Sequence, residues 1–488
     1  MAKTVVLPLW LAVILGALLA WAFADRALLP VVRRFFARRE ERFLEKVKKR
    51  FHLLVPAFKV ARRRTLIERL VSDPQVLSAV DDYCREHGSA PEAALRRVRD
   101  YAEEIVPSFH AFAYYYLGSL VGLTIARLLY RVRRVYADEV KLAGIAPTSS
   151  LVFLMNHRSN MDYVLLGYLT RAWAPPSFAV GEWAGFWPVR PLVKSMGAYF
   201  VRRGSRSTLY RRVLAAYIQM AVEGGQVQAV YLEGKLSRDG SLQEPKAGIL
   251  DYILRRFEPG GERDVVFVPV GVNYDRVLED RSLVLDQVPG ANKKRGIAAA
   301  AVTLRFIGRN LLLMARGGWH RLGYAVLHFG LPVSLRDYVR SRGIDFRTLT
   351  PKARAPHVRG LARELLDSVG RTIPALPVSL VSTVLVDNPG RIYREAELKG
   401  EVEGLIERLG ETGARIYLPR RSLDYTVEVG LRSLVLRHLV LKDGGTFRAA
   451  PGEMTLLRYY ANSIAHLRLF SPSSGWPQDS PTPGQESS

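Results

Sequence analysis

Short apolar runs of four to six residues alternate with longer helical stretches through the middle of the chain. A run of this length, bounded by polar residues or turn formers, is typical of a buried strand. Strands that alternate with helices favour a sheet covered by helices on its faces. The pattern therefore predicts an α/β domain at 146–335. The predicted strands are Leu151–Met155, Ala198–Val201, Val227–Leu232, Val265–Val270 and Tyr324–Phe329.

Beyond residue 335 the apolar positions follow a helical period, which predicts a helical accessory domain at 336–470. Its periodic runs are Ala396–Leu409, Leu423–Leu441 and Met454–Leu469. Leu439–Ala449 is predicted to form a hairpin around the turn residues Gly444 and Gly445. Helices followed by a hairpin also fit a winged-helix unit, which would favour nucleic-acid binding. The Ser/Pro/Gly-rich tail at 471–488 is predicted to be disordered.

The amino-terminal segment from Val5 to Ala24 is almost continuously apolar. About 20 such residues are enough for a helix to cross a bilayer, so we predict a transmembrane anchor at 1–25. A cleaved signal peptide is the alternative, although only Lys3 precedes the apolar stretch. The flank at 26–50 is dense in Arg and Lys. The positive-inside rule then predicts that the rest of the chain lies on the cytoplasmic side of the cell (inner) membrane.

The chain is strongly basic, with a net charge of +25 from 71 Lys and Arg against 46 Asp and Glu. Such a charge indicates an anionic partner. Region 26–145 is predicted to be basic and apolar helices that associate with anionic membrane lipid next to the anchor. Within it, the aromatic run at 105–130 contains His110 and Arg127, which favours helices that are buried or lie at the interface. No nucleic-acid recognition motif accompanies the charge, so no nucleic-acid partner is expected.

The residues that could hold a metal or a cofactor are sparse. Cys84 is the single cysteine, which excludes a disulfide within this sequence and every cysteine metal cluster. No group of His, Asp and Glu has the spacing of a metal site, and no glycine-rich nucleotide-binding motif is present. We therefore expect neither a metal nor another cofactor.

The candidate chemistry lies where the first predicted strand ends. Leu151–Met155 leads into a polar turn that contains His157, and the apolar run after Asp162 predicts a helix. On one continuous helix the two side chains would point about 140° apart, so a contact needs His157 in the turn and Asp162 in the first helical turn. The pair would then be a general base with its orienting carboxylate. Alternatively, Asp162 is simply an acidic residue at a helix N-terminus.

Four stretches of the chain match, in order, the signature blocks of a known family. His157–Leu166 reads HRSNMDYVLL and closely resembles the first block of the glycerol-3-phosphate acyltransferases, the H-x4-D acyltransferases of glycerolipid synthesis. Gly197–Arg203 (GAYFVRR), Tyr231–Gly240 (YLEGKLSRDG) and Val268–Val277 (VPVGVNYDRV) resemble the next three. The stretch at 457–467 is similar to the carboxy-terminal region of the same family. The chain therefore resembles the membrane-bound bacterial type.

The resemblance also implies roles for individual residues. His157 would be the base and Asp162 its orienting acid, and Pro269 would shape the wall of the acyl or thioester site. An edge-strand proline explains Pro269 equally well. One position departs from the family pattern, because the first Arg of the third block is Leu236 here, which bears on acceptor choice. The implied substrate-binding residues are Arg202, Arg203, Glu233, Gly234, Lys235, Ser237, Arg238 and Lys246.

The activity implied by the resemblance is acyl transfer to the 1-hydroxyl of sn-glycerol 3-phosphate, the first step of phospholipid synthesis. The donor would be acyl-carrier protein or acyl-CoA, and the product would be a lysophosphatidate. Acylation of lysophosphatidate or dihydroxyacetone phosphate is the close alternative. A catalytically idle, membrane-tethered protein that binds lipid or nucleic acid is the alternative from a different class.

Overall fold

The computed structural model describes a large part of the chain. The predicted anchor at 1–25, the predicted tail at 471–488 and Arg203 lie outside the described residues. In the parts it describes, no helix is both long and apolar enough to cross a bilayer. The described residues are Phe58, 61–110, Tyr114, 119–170, 175–181, 189–202, 204–285, Gln287 and 321–470.

The strands of the described chain include all five that the apolar runs predicted. They are β1 (Arg131–Tyr136), β2 (Ser150–Met155), β3 (Ser177–Val180), β4 (Tyr199–Phe200), β5 (Gln228–Tyr231), β6 (Val265–Tyr274), β7 (Tyr324–Phe329), β8 (Val333–Ser334), β9 (Tyr393–Arg394), β10 (Val440–Asp443) and β11 (Thr446–Ala449). The predicted runs correspond to β2, β4, β5, β6 and β7.

Eight of these strands form one sheet in the order β1-β7-β6-β2-β5-β3-β4, with β8 beside β6. Strands β2 to β6 run parallel to one another. Strands β7 and β8 run antiparallel to β6, and β1 runs parallel to β7. The buried strand β2 is therefore central, between β5 and β6, and its carboxyl end carries the residues that the sequence marked for chemistry.

Helices cover both faces of this sheet. In chain order they are α1 (Arg63–Val71), α2 (Pro74–His87), α3 (Pro91–Ile105), α4 (Ser119–Leu129), α5 (Glu139–Ala143), α6 (Met161–Leu169), α7 (Val189–Ser195), α8 (Thr208–Glu223), α9 (Gly248–Leu254), α10 (Asp280–Leu285), α11 (Leu335–Arg342), α12 (Pro351–Thr372), α13 (Pro377–Asp387), α14 (Glu395–Glu411), α15 (Leu423–Leu436) and α16 (Met454–Ala465).

Alternate side chains of β2 enter two different cores, as the two-residue period of a strand requires. Val152 and Leu154 pack with α1, α2, α3, α8, α9, α11 and α12. Phe153 and Met155 pack with α4, α6 and the carboxy-terminal helices α13 to α16. The carboxy-terminal helices are therefore part of the main core on one face of the eight-stranded sheet.

The prediction of helices throughout 26–145 was wrong for β1. Arg131–Tyr136 pairs with β7 at the edge of the sheet, and most of its side chains are exposed. An edge strand needs no apolar run, and its Arg side chains protect the edge from further pairing. The sheet therefore begins before residue 146.

The carboxy-terminal region has the helices and the hairpin that its pattern predicted. Strands β10 and β11 pair antiparallel around Gly444 and Gly445, and β9 extends them into a small sheet. The region also lies close to the eight-stranded sheet, because a Cβ on Gly271 of β6 would be 2.3 Å from the carbonyl carbon of Thr372. A glycine at Gly271 therefore permits the backbone at the end of α12 to approach β6.

Candidate active site

The turn at 156–160 joins β2 to α6 and is fixed to the neighbouring strand by Asn156. The side-chain amide of Asn156 donates to the carbonyl oxygen of Val272 (2.9 Å), and its oxygen accepts from the Val272 N–H (2.8 Å). Both bonds are buried, so the carboxyl end of β2 is held to β6 immediately before the turn begins. The sequence placed Asn156 in the turn but gave no signal of this partner.

His157 and Asp162 meet across the turn, as the strand-turn-helix prediction required. Nδ1 of His157 lies 2.9 Å from Oδ2 of Asp162, and the two side chains are 2% and 0% exposed. An ionised carboxylate only accepts hydrogen bonds, so Nδ1 carries the proton and Nε2 is the basic nitrogen. Within the described ranges, Nε2 has no hydrogen-bond partner. The geometry therefore leaves Nε2 free to take a proton from a substrate.

The carboxylate of Asp162 is fixed by more than the imidazole. Its Oδ2 also accepts the backbone N–H groups of Arg158 (2.8 Å) and Ser159 (3.1 Å). Its Oδ1 accepts the hydroxyl of Tyr274, at 2.5 Å. Tyr274 was part of the fourth block, but the sequence did not indicate this contact.

Two tyrosines fix the plane of the His157 ring. Tyr231 stacks on it with 3.9 Å between ring centroids and 18° between planes. Tyr163 meets it edge-on at 5.5 Å. Because these contacts leave the ring little freedom, the base is oriented before any substrate binds.

Glu233 and Ser237 hold the backbone of His157. The His157 N–H donates to Oε1 of Glu233 (2.8 Å), and the His157 carbonyl accepts the Ser237 N–H (3.0 Å). Oε2 of Glu233 accepts the Gln243 N–H at 2.9 Å. Both residues were predicted to bind substrate, but the structure gives each a positioning contact to the base. Burial raises the pKa of Glu233 to about 7, against the opposing hydrogen bonds from His157 and Gln243.

We expect Glu233→Gln to change how stability depends on pH. A carboxyl whose pKa rises on folding weakens the folded state as it ionises, so the wild type loses stability as pH increases from about 4.5 to 7. Between pH 5 and pH 8, the free energy of unfolding of the wild type should therefore fall by about 2 kcal/mol relative to that of the variant. Denaturant titrations at both pH values measure this, with the exposed Glu258→Gln as control. If the free energies of unfolding of the wild type and the variant differed by the same amount at both pH values, the raised pKa of Glu233 would be contradicted.

Glu279 is a site residue that sequence reasoning missed. Its carboxylate accepts the Ser159 hydroxyl (2.8 Å) and the side-chain amide of Asn160 (3.1 Å). Burial raises the pKa of this carboxyl, and its hydrogen bond from Ser159 opposes that rise. A glutamate shortly after a buried strand was the available signal, but nothing in the sequence paired it with residues 120 positions away. Glu279 therefore supports the turn from the side of α10.

The loop after β5 presents three cations beside the turn. Lys235, Arg238 and Lys246 are exposed, and their side chains form no hydrogen bond or ion pair with any described residue. Gly234 has a φ of +71°, and a Cβ there would lie 3.1 Å from Cγ of Lys246, so the glycine brings Lys246 against the loop. Leu236, at the position of the family's first Arg, instead packs half-buried against the main core.

Two other predicted site residues have different surroundings. Arg202 forms an ion pair with Glu104 of α3, with its Nε 2.8 Å from the carboxylate. Pro269 lies inside the central strand β6, so the edge-strand interpretation was wrong. Its carbonyl accepts the Gly330 N–H (2.8 Å) between the segments of β6 that pair with β7 and with β8. The missing N–H of Pro269 therefore falls where no ladder bond is required.

An apolar cavity of about 200 Å³ lies next to the turn. Asn160 and Tyr163, which flank the candidate base, line one part of it, and Gly167 lines it farther along α6. Phe178 and Met196 contribute from β3 and from the segment after α7. Pro269, predicted to form an acyl wall, does not line this cavity. An apolar cavity lined by residues that flank the candidate base suits a substrate with a hydrocarbon chain.

Comparison with known proteins finds two family models that match parts of the chain and several similar proteins. Residues 137–273 match the family model described as Acyltransferase, and residues 310–472 match the glycerol-3-phosphate acyltransferase C-terminal region. A glycerol-3-phosphate acyltransferase from Xanthomonas campestris pv. campestris is 27% identical over 429 residues, which cover 84% of this chain and 46% of the relative. One from Glaesserella parasuis is 26% identical over 422 residues, covering 83% of this chain and 50% of the relative.

The chain spans about half the length of the curated relatives it matches. The two family models cover the catalytic sheet and the carboxy-terminal helices, in the order that the sequence resemblance predicted. Over most of its length the chain is therefore similar to glycerol-3-phosphate acyltransferases, through an acyltransferase region and through their C-terminal region.

Proposed function

We propose that this chain transfers an acyl group from a thioester to the 1-hydroxyl of sn-glycerol 3-phosphate and so forms a lysophosphatidate. The observation that carries the proposal is the buried His157–Asp162 pair, whose ring contacts Tyr163, a residue that lines an apolar cavity. The family models and the relatives named as glycerol-3-phosphate acyltransferases support the choice of acceptor.

In the proposed mechanism, Nε2 of His157 takes the proton of the acceptor hydroxyl as its oxygen attacks the thioester carbonyl carbon. Asp162 stabilises the imidazolium that forms. Backbone N–H groups and nearby cations stabilise the tetrahedral oxyanion. The C–S bond then breaks, and the imidazolium returns its proton to the leaving thiolate. The proton balance closes on His157, so the reaction needs no metal or other cofactor.

The phosphate of the acceptor is proposed to bind the exposed cations of the β5–α9 loop. The side chains of Lys235, Arg238 and Lys246 form no hydrogen bond or ion pair with a described residue, and their loop holds His157 through Glu233 and Ser237. Arg202 is a weaker candidate because its guanidinium is already paired with Glu104. Since Leu236 leaves this loop one cation short of the family pattern, dihydroxyacetone phosphate and lysophosphatidate are the acceptors to compare.

The acyl chain is proposed to occupy the apolar cavity, and Gly167 offers a test. A Cβ at Gly167 would lie 3.4 Å from the hydroxyl of Tyr114, so a leucine side chain must extend into the cavity. We expect Gly167→Leu to lower kcat/KM for a palmitoyl donor by about tenfold or more, and for an octanoyl donor much less. Gly400→Leu, at a helical glycine with open space around it, is the matched control. Equal losses for both donors would argue against this placement of the chain.

The membrane location is also a proposal. The apolar segment at 5–24 and the net charge of +25 support a chain anchored in the inner membrane, with its catalytic sheet at the cytoplasmic surface among anionic lipids. Acyl-carrier protein and the phosphates of acyl-CoA are both anionic, so a basic surface suits either donor.

The activity is tested with purified protein in vesicles that contain anionic lipid. Labelled glycerol 3-phosphate is supplied with palmitoyl-CoA or with palmitoyl-acyl-carrier protein. Labelled lysophosphatidate from the wild type establishes the reaction and identifies the donor. Acylation of lysophosphatidate or dihydroxyacetone phosphate in its place would show a changed acceptor, and no turnover with any acceptor would favour a binding protein.

A further inference from the structure

Arg158 is a buried cation inside the catalytic turn that the mechanism above does not use. The residue is 3% exposed, and its guanidinium donates one hydrogen bond within the described part of the chain, from Nη1 to the carbonyl oxygen of Gly240. Within the described part of the chain, its Nε and Nη2 are buried without a hydrogen-bond partner. Burying a charge with unsatisfied donors is costly, so a residue that only filled space here would be better replaced by an apolar one.

This guanidinium also contacts an aromatic ring from the carboxy-terminal region. The central carbon of the Arg158 guanidinium lies 4.6 Å from the ring centroid of Tyr459, on helix α16. A planar guanidinium suits this stacking better than an ammonium group does. Arg158 therefore joins the catalytic turn directly to the last helix of the described chain.

The same helix contacts the loop that holds His157. A Cβ on Gly240 would lie 1.8 Å from the carbonyl oxygen of Tyr459, so a side chain at this position would block the approach of α16. Nearby, the side-chain amide of Asn462 donates to the carbonyl of Asp239 at 2.9 Å. Helix α16 thus packs on the β5–α9 loop at two adjacent residues and on the turn through Arg158.

Arg158 also connects this contact to the catalytic pair. Its backbone N–H donates to Oδ2 of Asp162 (2.8 Å), the oxygen that accepts Nδ1–H of His157. A displacement of the Arg158 backbone would therefore disturb the carboxylate that orients the base. We propose that Arg158 and Tyr459 form a positioning contact, through which helix α16 holds the catalytic turn in its reactive geometry.

This inference rests on the proposed function and assigns the carboxy-terminal region a part in the chemical step. A positioning contact should affect kcat and leave substrate binding almost unchanged. The test measures kcat and KM for glycerol 3-phosphate in Tyr459→Leu, Tyr459→Phe and Arg158→Lys. Tyr459→Phe retains the ring and loses only a hydroxyl that has no described partner.

Arg131→Met is the matched control for an Arg–aromatic contact between the same two regions. Nη1 of Arg131, on the edge strand β1, donates to the hydroxyl of Tyr425 (3.1 Å) on α15, and the strands β7 and β6 separate β1 from β2. We expect Arg131→Met to retain the kcat of the wild type.

We expect Tyr459→Leu and Arg158→Lys to lower kcat by about tenfold or more, with KM within about twofold of the wild type. Tyr459→Phe should retain almost the full kcat of the wild type. Wild-type kcat in folded Tyr459→Leu, or a rise in KM with kcat unchanged, would overturn the proposal. If Tyr459→Leu does not fold, Arg158→Lys decides by the same criteria. Wild-type protein without turnover would instead refute the proposed function.

Discussion

His157→Ala is expected to lower kcat by roughly 10²- to 10⁴-fold, the range that a general base contributes. The variant loses the imidazole that we propose accepts the proton of the acceptor hydroxyl. The rings of Tyr231 and Tyr163 would remain, so the turn should still form and the affinity for substrates should change little. Single-turnover kinetics with labelled glycerol 3-phosphate, beside equilibrium binding of the same ligand, measures both quantities.

The control for this variant is His357→Ala, which removes an exposed imidazole on α12. It should retain wild-type turnover, and both variants should have the thermal unfolding midpoint and vesicle association of the wild type. Turnover at the wild-type rate in folded His157→Ala would refute His157 as the base. Equal losses in both variants would indicate that histidine replacement acts through stability.

The strand-turn-helix at the centre of the site was predictable because its signals are local. Leu151–Met155 is a continuous apolar run, and five positions separate His157 from Asp162, so a contact had to cross a turn. The structure has that contact at 2.9 Å. Local periodicity also gave the carboxy-terminal helices and the hairpin of β10 and β11.

The supports of the turn were not predictable, because each depends on chain segments that meet only after folding. Tyr274 is 112 positions from Asp162, and Asn156 is 116 from Val272. No periodic pattern marks such partners. Glu233 shows a related limit: its position in the third block implied substrate binding, whereas its carboxylate accepts two backbone N–H groups. A motif identified Glu233 as important, and only the structure gave its contact.

Asp162→Asn is expected to lower kcat by roughly 10²- to 10³-fold while the turn keeps its shape. The amide oxygen can still accept from the imidazole Nδ1–H of His157 and from the backbone N–H groups of Arg158 and Ser159. The amide NH₂ then faces Tyr274, whose hydroxyl can rotate to accept it. The variant therefore removes the negative charge that stabilises the imidazolium, and it leaves most of the hydrogen bonds. Tyr274→Phe is the companion variant, since it removes a hydrogen bond to Asp162 and retains the charge, and its kcat should fall much less.

The double variant His157→Ala/Asp162→Asn shows whether the two residues act as one unit. Without an imidazole there is no imidazolium for the carboxylate to stabilise, so the second substitution should add almost nothing to the loss from His157→Ala. Groups that act together are strongly non-additive in this way. If the two losses multiplied, Asp162 would have an independent role, such as a direct contact with the acceptor. The measured coupling therefore distinguishes an orienting carboxylate from one that binds substrate, at a residue that is 0% exposed and already accepts four hydrogen bonds.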